Sequence, residues 1–508
     1  MPYTVPDLLL NAARHFPDAV AVRDNTEAAS YQQLTERAHA HAGALARQLP
    51  PGARVALLLP RSSAAIAVYF GAHLAGLVPV VVHDQLRPRQ VAHLIAHAEA
   101  GLVITDGRLR PLLRDTSIPA ERILEPADLL GPESRSTTPV IGRDLAALAY
   151  TSGSTGSPKA VMLSHDNLVA GATIVADYLR LTSSDRILAL LPWSFDYGLN
   201  QLLATFAAGG TIVIQRSTFP PDICRTLATT EVTGMAGVPT LWASLTNPHS
   251  PFTQQRYPSL RYLTNSGGPL HPSVSAALRA AQPHVAVYSM YGLTEAFRST
   301  FLDPALIDTK PDSVGRAIPN SQVLAVDDTG RPCPPGVPGE VIHRGPTVAL
   351  GYWRDPAATA AVFRPRPGED AAWAEIVVYS GDLGYTDADG DLYLTGRHDE
   401  QVKVLGVRVT PTEIEAEIMA SGLVAAVVIV VTPRPDNPDG PLLHAAVQPS
   451  SADFSLPQMK AFCQSELPPH MRPHQFTVVA QIPQTLHGKL DRAATSLVVH
   501  DTAAGARR

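Results

Sequence analysis

One short loop concentrates side chains that could bind phosphate. From Tyr150 to Lys159 the sequence reads Tyr-Thr-Ser-Gly-Ser-Thr-Gly-Ser-Pro-Lys. Hydroxyl groups donate hydrogen bonds, glycines let the backbone approach a ligand closely, and the lysine adds a positive charge. The loop therefore predicts binding of phosphate oxygens, and a glycine- and serine-rich surface turn is the alternative. The candidate ligand-binding residues are Thr151, Ser152, Gly153, Ser154, Thr155 and Lys159.

This loop differs from the phosphate loop of Walker-type nucleoside triphosphatases. In those proteins Gly-Lys-Ser/Thr opens directly into a helix, whereas Lys159 follows Pro158 and precedes Ala160. The apolar runs Leu145–Tyr150 and Ala160–Leu163 predict a short strand on each side of the loop. A Walker-type nucleoside triphosphatase or kinase is therefore disfavoured.

The overall composition limits the class of protein and its partners. The chain has 508 residues, of which 45% are hydrophobic, enough for two or more domains with a large core. A net charge of -6 without a block of Lys or Arg disfavours nucleic acid and anionic membranes as partners. Cys224, Cys333 and Cys463 form no CxxC pair, and neither a signal peptide nor a membrane span is recognisable. We expect a cytoplasmic protein that acts on small molecules or proteins.

Short apolar strands alternate with amphipathic helices through the first two thirds of the chain. Arg54–Leu59 and Val78–Val82 are typical of buried strands, and Ser63–Leu74 between them is typical of a helix. The strand pattern returns at Arg186–Leu191 and Thr211–Gln215. Such strand–helix–strand repeats predict an α/β fold with mostly parallel βαβ sheets.

The sequence pattern changes twice in the last third. Strands punctuated by Pro and Gly around Gly330–Gly351 predict a small β-rich subdomain. After Asp399 the pattern predicts an α+β unit, whose first helix is marked by the capping box Thr410–Glu413 with Pro411 at its first position. The predicted organisation is an N-terminal domain over residues 1–398, a small C-terminal domain over 399–500 and a tail over 501–508.

Four more motifs follow the Tyr150–Lys159 loop. They are Met-Tyr-Gly-Leu-Thr-Glu at 290–295, Tyr-Ser-Gly-Asp at 379–382, Gly-Arg-His-Asp-Glu-Gln-Val-Lys at 396–403 and Leu-His-Gly-Lys-Leu-Asp-Arg at 486–492. Together the five motifs resemble the adenylate-forming superfamily, which comprises acyl-CoA synthetases, nonribosomal-peptide adenylation domains and luciferases. The resemblance extends from about residue 5 to residue 497, and the motifs stand in the family's order.

The resemblance implies an enzyme that activates a carboxylate with ATP and Mg²⁺. A carboxylate approaching the α-phosphate is repelled by about 4 kcal/mol at a separation of about 4 Å and an effective dielectric of about 20. By residue-wise correspondence, Lys489 supplies positive charge to the reacting groups, Glu295 helps to hold Mg²⁺, and Thr294 binds the α-phosphate. A solvated surface lysine is the alternative for Lys489.

The same correspondence assigns the remaining nucleotide contacts. Asp382 and Arg397 contact the ribose, Tyr291 stacks on adenine, and the Tyr150–Lys159 loop holds the β- and γ-phosphates. A structural turn is the alternative for Asp382, and a surface ion pair is the alternative for Arg397. The site also includes Gly267, Gly268, Met290 and Gly292.

An acyl-adenylate is a reactive anhydride, so the resemblance implies its transfer to a second nucleophile in a shielded site. In this family the nucleophile is usually the phosphopantetheine thiol of a carrier protein or of CoA. The C-terminal domain is expected to be a mobile lid, with Asp399 as its hinge and Gly406 beside the thiol tunnel. The chain carries no fused carrier domain of its own, so we expect a stand-alone enzyme with a separate acyl- or peptidyl-carrier protein as partner.

The stretch Pro192–Gln201 bears on the identity of the acid. In amino-acid-activating relatives an aspartate that matches Asp196 binds the substrate ammonium, and a buried carboxylate needs such a cation. The alternative is structural, because Asp196 stands where a helix N-cap would. The resemblance therefore favours an amino acid, including β-amino and acidic ones, over the small or medium acid of an acyl-CoA synthetase.

Other positions that match pocket-lining sites are polar, which disfavours a long aliphatic acid. Arg298 is unusual among them, because a guanidinium there would either bind a second carboxylate of the substrate or pair with Asp196. The remaining pocket positions are Tyr197, Asn200, Thr240, Thr264, Ser266, Met290 and Ser299.

Two further classes compete with an acid–thiol ligase. A luciferase-like oxidase would use the same adenylate with oxygen, and the motifs do not distinguish it from an acid–thiol ligase. A catalytically silent nucleotide-binding relative is disfavoured by the presence of Lys489, Glu295, Asp382 and Arg397.

Overall fold

The computed structural model of the protein describes residues 2–24, 27–129, 138–151, 158–369, 373–397, 402–404, 407–432, 441–486 and 488–505. Its contacts divide the chain into two compact units. The first comprises Met1–Val323 and His343–Val378, and the second comprises Leu324–Ile342 and Tyr379–Arg508. The domain boundary predicted at Asp399 falls on a residue outside the described ones, so it stays a prediction.

The helices of the first unit alternate with its strands along most of the chain. They are α1 (Val5–His15), α2 (Tyr31–Ala46), α3 (Ser63–Leu74), α4 (Pro88–Ala98), α5 (His165–Tyr178), α6 (Asp196–Ala207), α7 (Pro220–Thr229), α8 (Pro239–Leu245), α9 (Pro251–Gln254), α10 (Pro272–Ala281) and α11 (Pro356–Val362). The predicted helix at Ser63–Leu74 is thus confirmed, and Ser62 caps it by accepting a hydrogen bond from the backbone N–H of Ala65.

Most strands of the first unit belong to three sheets. The strands are β1 (Val20–Arg23), β2 (Ala28–Ser30), β3 (Arg54–Leu58), β4 (Val78–Val81), β5 (Ala100–Thr105), β6 (Ile123–Leu124), β7 (Leu145–Thr151), β8 (Lys159–Ser164), β9 (Arg186–Ala189), β10 (Thr211–Ile214), β11 (Gly234–Gly237), β12 (Tyr262–Asn265), β13 (Ala286–Tyr291), β14 (Thr300–Phe301) and β15 (Arg316–Ala317). Strands β18 (Gly351–Tyr352) and β19 (Phe363–Pro365) also belong to the first unit. Strands β16 (Gln322–Val326), β17 (Gly339–Arg344) and β20 (Ile376–Thr386) each contain residues of both units.

Parallel pairing dominates the large sheets, as the alternation predicted. The largest sheet has the order β15-β14-β13-β12-β11-β9-β10-β1-β2 and is parallel from β13 to β1. A second sheet, β4-β3-β5-β6, is parallel throughout. A third, β18-β8-β7, is antiparallel and carries the ends of the Tyr150–Lys159 loop. The predicted α/β class is confirmed.

The second unit is smaller and contains an α+β region after residue 401. Its elements are β21 (Leu392–Arg397), β22 (Val402–Val404), β23 (Val407–Val409), α12 (Pro411–Ala420), β24 (Val424–Thr432), β25 (Leu442–Pro449), α13 (Leu456–Glu466), β26 (Gln475–Val478) and α14 (Arg492–Gly505). The predicted capping box forms at α12, where Thr410 and Glu413 cap each other's backbone N–H groups. Ile414 and Ile418 of α12 are fully buried against β24 and β25.

One prediction for the second unit is wrong. Residues 501–508 were expected to be a tail, but α14 runs from Arg492 to Gly505, and residues 506–508 lie outside the described ones. Alanines favour helix continuation, and Val499 on the same helix is almost fully buried, so packing and propensity together extend the helix. Among the described residues, none of the helices is long and apolar enough to cross a lipid bilayer. The cytoplasmic location stays a prediction.

Two neutral histidines lie in the core of the first unit. The rings of His73 on α3 and His165 on α5 are 5.2 Å apart, and the backbone N–H of Val5 donates to Nδ1 of His165 at 3.1 Å. Only an unprotonated nitrogen can accept this bond. Burial lowers the pKa of His165 to about 4, although Asp144 and Asp7 act in the opposite direction, and burial also lowers the pKa of His73.

We therefore expect the protein to lose stability in mild acid. The unfolded chain takes up protons near the ordinary histidine pKa of 6.5, while the folded chain resists them down to about 4 at His165. The contribution is present above pH 6.5 and is lost as the pH falls towards 4, by up to about 3 kcal/mol for this residue. Chemical unfolding between pH 8 and pH 4.5 measures it. His165→Asn, whose amide oxygen can still accept from Val5, should flatten the slope, and an unchanged slope would contradict this origin.

Candidate active site

The Tyr150–Lys159 loop connects two antiparallel strands of the first unit. Thr151 at the end of β7 pairs with Lys159 at the start of β8, which confirms the predicted strand on each side of the loop. The end of β7 is fixed to α4, because the Tyr150 hydroxyl contacts Nδ1 of His97 at 2.9 Å and the carbonyl oxygen of Leu94 at 3.3 Å. The candidate residues Ser152, Gly153, Ser154 and Thr155 lie outside the described residues, so their role stays a prediction.

A single tyrosine connects Lys159 to Glu295. The hydroxyl of Tyr352 donates to Oε1 of Glu295 at 2.6 Å, and Nζ of Lys159 lies 5.2 Å from the centre of the same tyrosine ring. Thr294 and Glu295 form a short 3₁₀ turn with Ala296. The backbone of Ala349 donates to the carbonyl oxygen of Glu295 at 2.9 Å, so this turn is fixed from two sides.

Tyr352 itself is firmly held, and sequence reasoning did not single it out. It is buried, its ring packs edge-on against Phe363 at 5.6 Å, and its backbone N–H donates to Oγ1 of Thr359 at 2.9 Å. As part of β18 it pairs with Val161 on β8, two residues beyond Lys159. The only sequence signal was its position in a Gly-Tyr-Trp stretch that follows the β-rich region.

The candidate adenine residues lie at the carboxyl ends of β12 and β13. Gly267 has a positive φ of 86°, and a Cβ on Gly268 would lie 3.1 Å from the Pro239 ring, so both positions suit glycine. Tyr291 ends β13, and its hydroxyl lies 3.4 Å from Nε2 of His343. Burial lowers the pKa of His343 to about 3, so this partner is neutral.

Three candidate acid-binding residues share the first turns of α6. Asp196 and Asn200 are four residues apart and buried on the same face, and Tyr197 is buried between them. Oδ1 of Asp196 accepts a hydrogen bond from the backbone N–H of Tyr197 at 2.8 Å. Burial raises the pKa of Tyr197, whose hydroxyl reaches the carbonyl oxygen of Thr264 at 2.8 Å.

Behind these residues lies a cavity of about 20 Å³, room for roughly one water molecule. Four predicted pocket residues line it, whereas Asp196, Thr240, Ser266, Arg298 and Ser299 do not. Its other walls are mostly apolar, from α5, α6 and the central sheet. The four are Tyr197, Asn200, Thr264 and Met290.

Asp196 is not an N-cap, which rules out the structural alternative considered for it. The N-cap position belongs to Phe195, and Asp196 is the first helical residue. Of the two possibilities left open for Arg298, the structure contains the pairing with Asp196. Nη1 of Arg298 lies 3.8 Å from Oδ2 of Asp196, and both side chains are only 5% exposed.

The backbone that presents Arg298 is strained. Phe297 has φ 47° and ψ -38°, a region that bulky residues avoid, and the N–H of Arg298 bonds to the carbonyl oxygen of Ala296 in a γ-turn. The Phe297 ring is fully buried against Gly171 on α5, where a Cβ would lie 2.4 Å from the ring. Sequence reasoning missed both Phe297 and Gly171, because neither carries a reactive group.

In the second unit, the two candidate ribose-binding residues are cross-strand neighbours. Asp382 on β20 pairs with Arg397 on β21, and their side chains form an ion pair of 3.0 Å between Oδ1 and Nη1. Gly381 has a positive φ of 71°, and a Cβ there would lie 3.1 Å from Nη2 of Arg397. Asp382 is therefore in a strand rather than in the turn considered as its alternative.

Lys489 closes a tight turn in the second unit, opposite Thr485. The N–H of Thr485 donates to the carbonyl oxygen of Lys489 at 2.7 Å, and the N–H of Lys489 returns to Oγ1 of Thr485 at 3.2 Å. Gly488 at φ 77° makes this turn possible. The predicted hinge Asp399 and the predicted tunnel residue Gly406 lie outside the described residues.

Comparison with known families identifies the class of protein. The sequence profile described as "AMP-binding enzyme" matches residues 9–353, and the profile described as "AMP-binding enzyme C-terminal domain" matches residues 413–489. The chain therefore belongs to the AMP-binding enzyme family. The resemblance to the adenylate-forming superfamily and the prediction of an enzyme are confirmed.

One curated relative and two solved structures illustrate what the chain is similar to. Tyrocidine synthase 3 from Brevibacillus parabrevis is 30% identical over 94% of the chain, which spans 7% of that relative's length. The structure of ATP-bound MatB from Rhodopseudomonas palustris is 27% identical, covers 98% of each chain and has a TM-score of 0.86. The anthranilate CoA ligase AuaEII has the same fold, with a TM-score of 0.88 at 23% identity over 99% of each chain.

Proposed function

We propose that the protein activates a carboxylic acid with ATP, releasing pyrophosphate, and transfers the acyl group from the acyl-adenylate to a phosphopantetheine thiol. The observation that carries this proposal is the Lys159–Tyr352–Glu295 arrangement. It joins the exit of a hydroxyl- and glycine-rich loop to a carboxylate through one rigid side chain. A phosphate-binding loop beside a metal-binding carboxylate is what nucleotidyl transfer needs.

The residues present suit the cofactors of this reaction. A carboxylate held by one hydrogen bond is a hard oxygen ligand of the kind that Mg²⁺ prefers, so Glu295 would hold the ion. When bound, Mg²⁺ supplies positive charge to the phosphate oxygens. Thr294, beside Glu295, would contact the α-phosphate. The Asp382–Arg397 pair offers both acceptors and donors for the two ribose hydroxyls.

For the acid and the acceptor, we propose an amino acid, including β-amino or acidic ones, and a separate carrier protein. The buried carboxylate of Asp196 at the start of α6 supports the amino acid, and the peptide synthetase relatives support the carrier. The Asp196–Arg298 pair weakens the case for a simple α-amino acid, because the carboxylate already has a cation nearby. The alternative is an acyl-CoA synthetase for a small or medium acid, with CoA as acceptor.

Acid-dependent exchange of labelled pyrophosphate into ATP tests the activity. A panel of α-amino, β-amino, aryl and fatty acids should give exchange with a small polar member and little with a medium-chain fatty acid. Adding a phosphopantetheinylated carrier or free CoA to the best acid then identifies the acceptor from AMP release. Exchange only with fatty acids would refute the amino acid. AMP release that consumes oxygen would refute the ligase in favour of an oxidase.

A further inference from the structure

Arg298 keeps two of its donors unused in a buried place. The residue is 4% exposed, and neither Nε nor Nη2 has a hydrogen-bond partner among the described residues. Burying N–H groups of a charged side chain without partners is costly, so such groups normally have one. The described part of the chain therefore provides no acceptor for these two N–H groups.

The two unused donors form one edge of the guanidinium. Nε–H and Nη2–H point to the same side of the planar group, and this fork matches the two oxygens of a carboxylate. The third nitrogen, Nη1, is the one that faces Asp196 at 3.8 Å. Asp196 therefore approaches one end of the guanidinium and leaves the fork without an acceptor among the described residues.

Neighbouring groups hold this edge in place. The guanidinium carbon lies 5.0 Å from the centre of the Tyr197 ring and 5.5 Å from that of Phe297. The strained γ-turn at Phe297 fixes the backbone immediately before the arginine. Asn200, two per cent exposed and in the cavity wall with Tyr197, also has an unpartnered Nδ2 among the described residues.

We propose that the acid activated here carries a second carboxylate, which binds to the Nε–Nη2 edge of Arg298. This inference rests on the proposed acid activation and specifies its substrate class as dicarboxylic. The Asp196–Arg298 pair is electrically neutral, so a second carboxylate adds one buried negative charge. A substrate ammonium beside Asp196 balances that charge, which makes an amino dicarboxylic acid the best-matched member of the class.

Pyrophosphate exchange with pairs of acids of equal chain length tests this. The pairs are succinate with butyrate, glutarate with valerate, aspartate with 2-aminobutyrate and glutamate with norvaline. We expect kcat/KM for the best dicarboxylic acid to exceed that of its partner by at least ~100-fold, because a buried donor pair rejects a ligand without acceptors. Comparing the amino pairs with the plain pairs shows whether an ammonium adds to the preference.

The variant Arg298→Lys keeps the charge beside Asp196 and removes the fork. It should lower the dicarboxylic preference at least tenfold and leave the KM for ATP unchanged. Arg261→Lys is the matched control, since Arg261 also pairs with a buried aspartate, Asp185, at 2.7 Å. A wild-type preference for monocarboxylic acids, or a preference that survives in Arg298→Lys, would overturn the inference and leave the proposed function standing. Absence of exchange with every acid, including those of the wider panel, would reject both.

Discussion

Replacing Lys489 with alanine should abolish acid-dependent pyrophosphate exchange while largely sparing thioester formation from pre-made acyl-adenylate. The proposed role of this lysine is to offset the repulsion between the attacking carboxylate and the α-phosphate. That repulsion is about 4 kcal/mol, so the expected loss of adenylation is about 10³-fold. The second step starts from an adenylate in which this charge problem has been solved, so it should change little.

The exposed Lys460 on α13 provides the matched control for Lys489. Lys460→Ala removes the same charge from the same unit, at a position where the lysine lies 6.0 Å from the Phe476 ring. It should leave both half-reactions intact. Single-turnover measurements of each step separate the outcomes. Equal losses in both steps of Lys489→Ala would contradict a specific role in adenylation. They would indicate that Lys489 stabilises the turn at Thr485 and Gly488 instead.

The change Glu295→Gln should reduce adenylation by roughly 10²- to 10³-fold, as removal of an electrostatic group from a reaction centre typically does. Glutamine keeps the size of the side chain and can still accept from the Tyr352 hydroxyl, so the turn should keep its shape. What is lost is the negative charge that would hold Mg²⁺. The Mg²⁺ concentration for half-maximal exchange should therefore rise in the variant.

Two further variants make the test of Glu295 specific. Tyr352→Phe removes the 2.6 Å bond to Oε1 and should lower the rate about tenfold, the effect of losing one hydrogen bond to a charged group. Glu36→Gln, on the exposed face of α2, should have no effect. An unaltered Mg²⁺ dependence in Glu295→Gln would assign the metal to other ligands. If Tyr352→Phe lowered the adenylation rate as much as Glu295→Gln does, the position of the Glu295 carboxylate, rather than its charge, would explain the loss.

Much of the fold could be predicted because its signals are local. These signals depend on residues that are close together in sequence. Examples are the helix at Ser63–Leu74, the capping box at Thr410 and the strands on both sides of the phosphate loop. Helix propensity, capping and alternation act over that distance. The helix over residues 501–505 was missed because the polar and small residues after His500 suggested a tail, while burial of Val499 is a tertiary effect.

The candidate site was predicted only as a set of separate motifs. Asp382 and Arg397 were both assigned to the ribose, but their direct pairing follows from the register of β20 and β21. Asp196 looked like a helix cap, and only the observed start of α6 at this residue corrected that interpretation. Such details depend on pairing partners and helix limits that a local pattern does not specify.

The sequence by itself determined the class of enzyme, because five short motifs in order carry the family's chemistry within a few residues each. Tertiary structure alone decided how the groups are combined. Tyr352 contacts Glu295, 57 residues away in sequence, and Arg298 pairs with Asp196, which is still farther away in sequence. No spacing rule connects residues so far apart, since their contact depends on how β18, α6 and the strained turn at Phe297 pack in three dimensions. The unused edge of Arg298 could therefore be recognised only after the chain was folded.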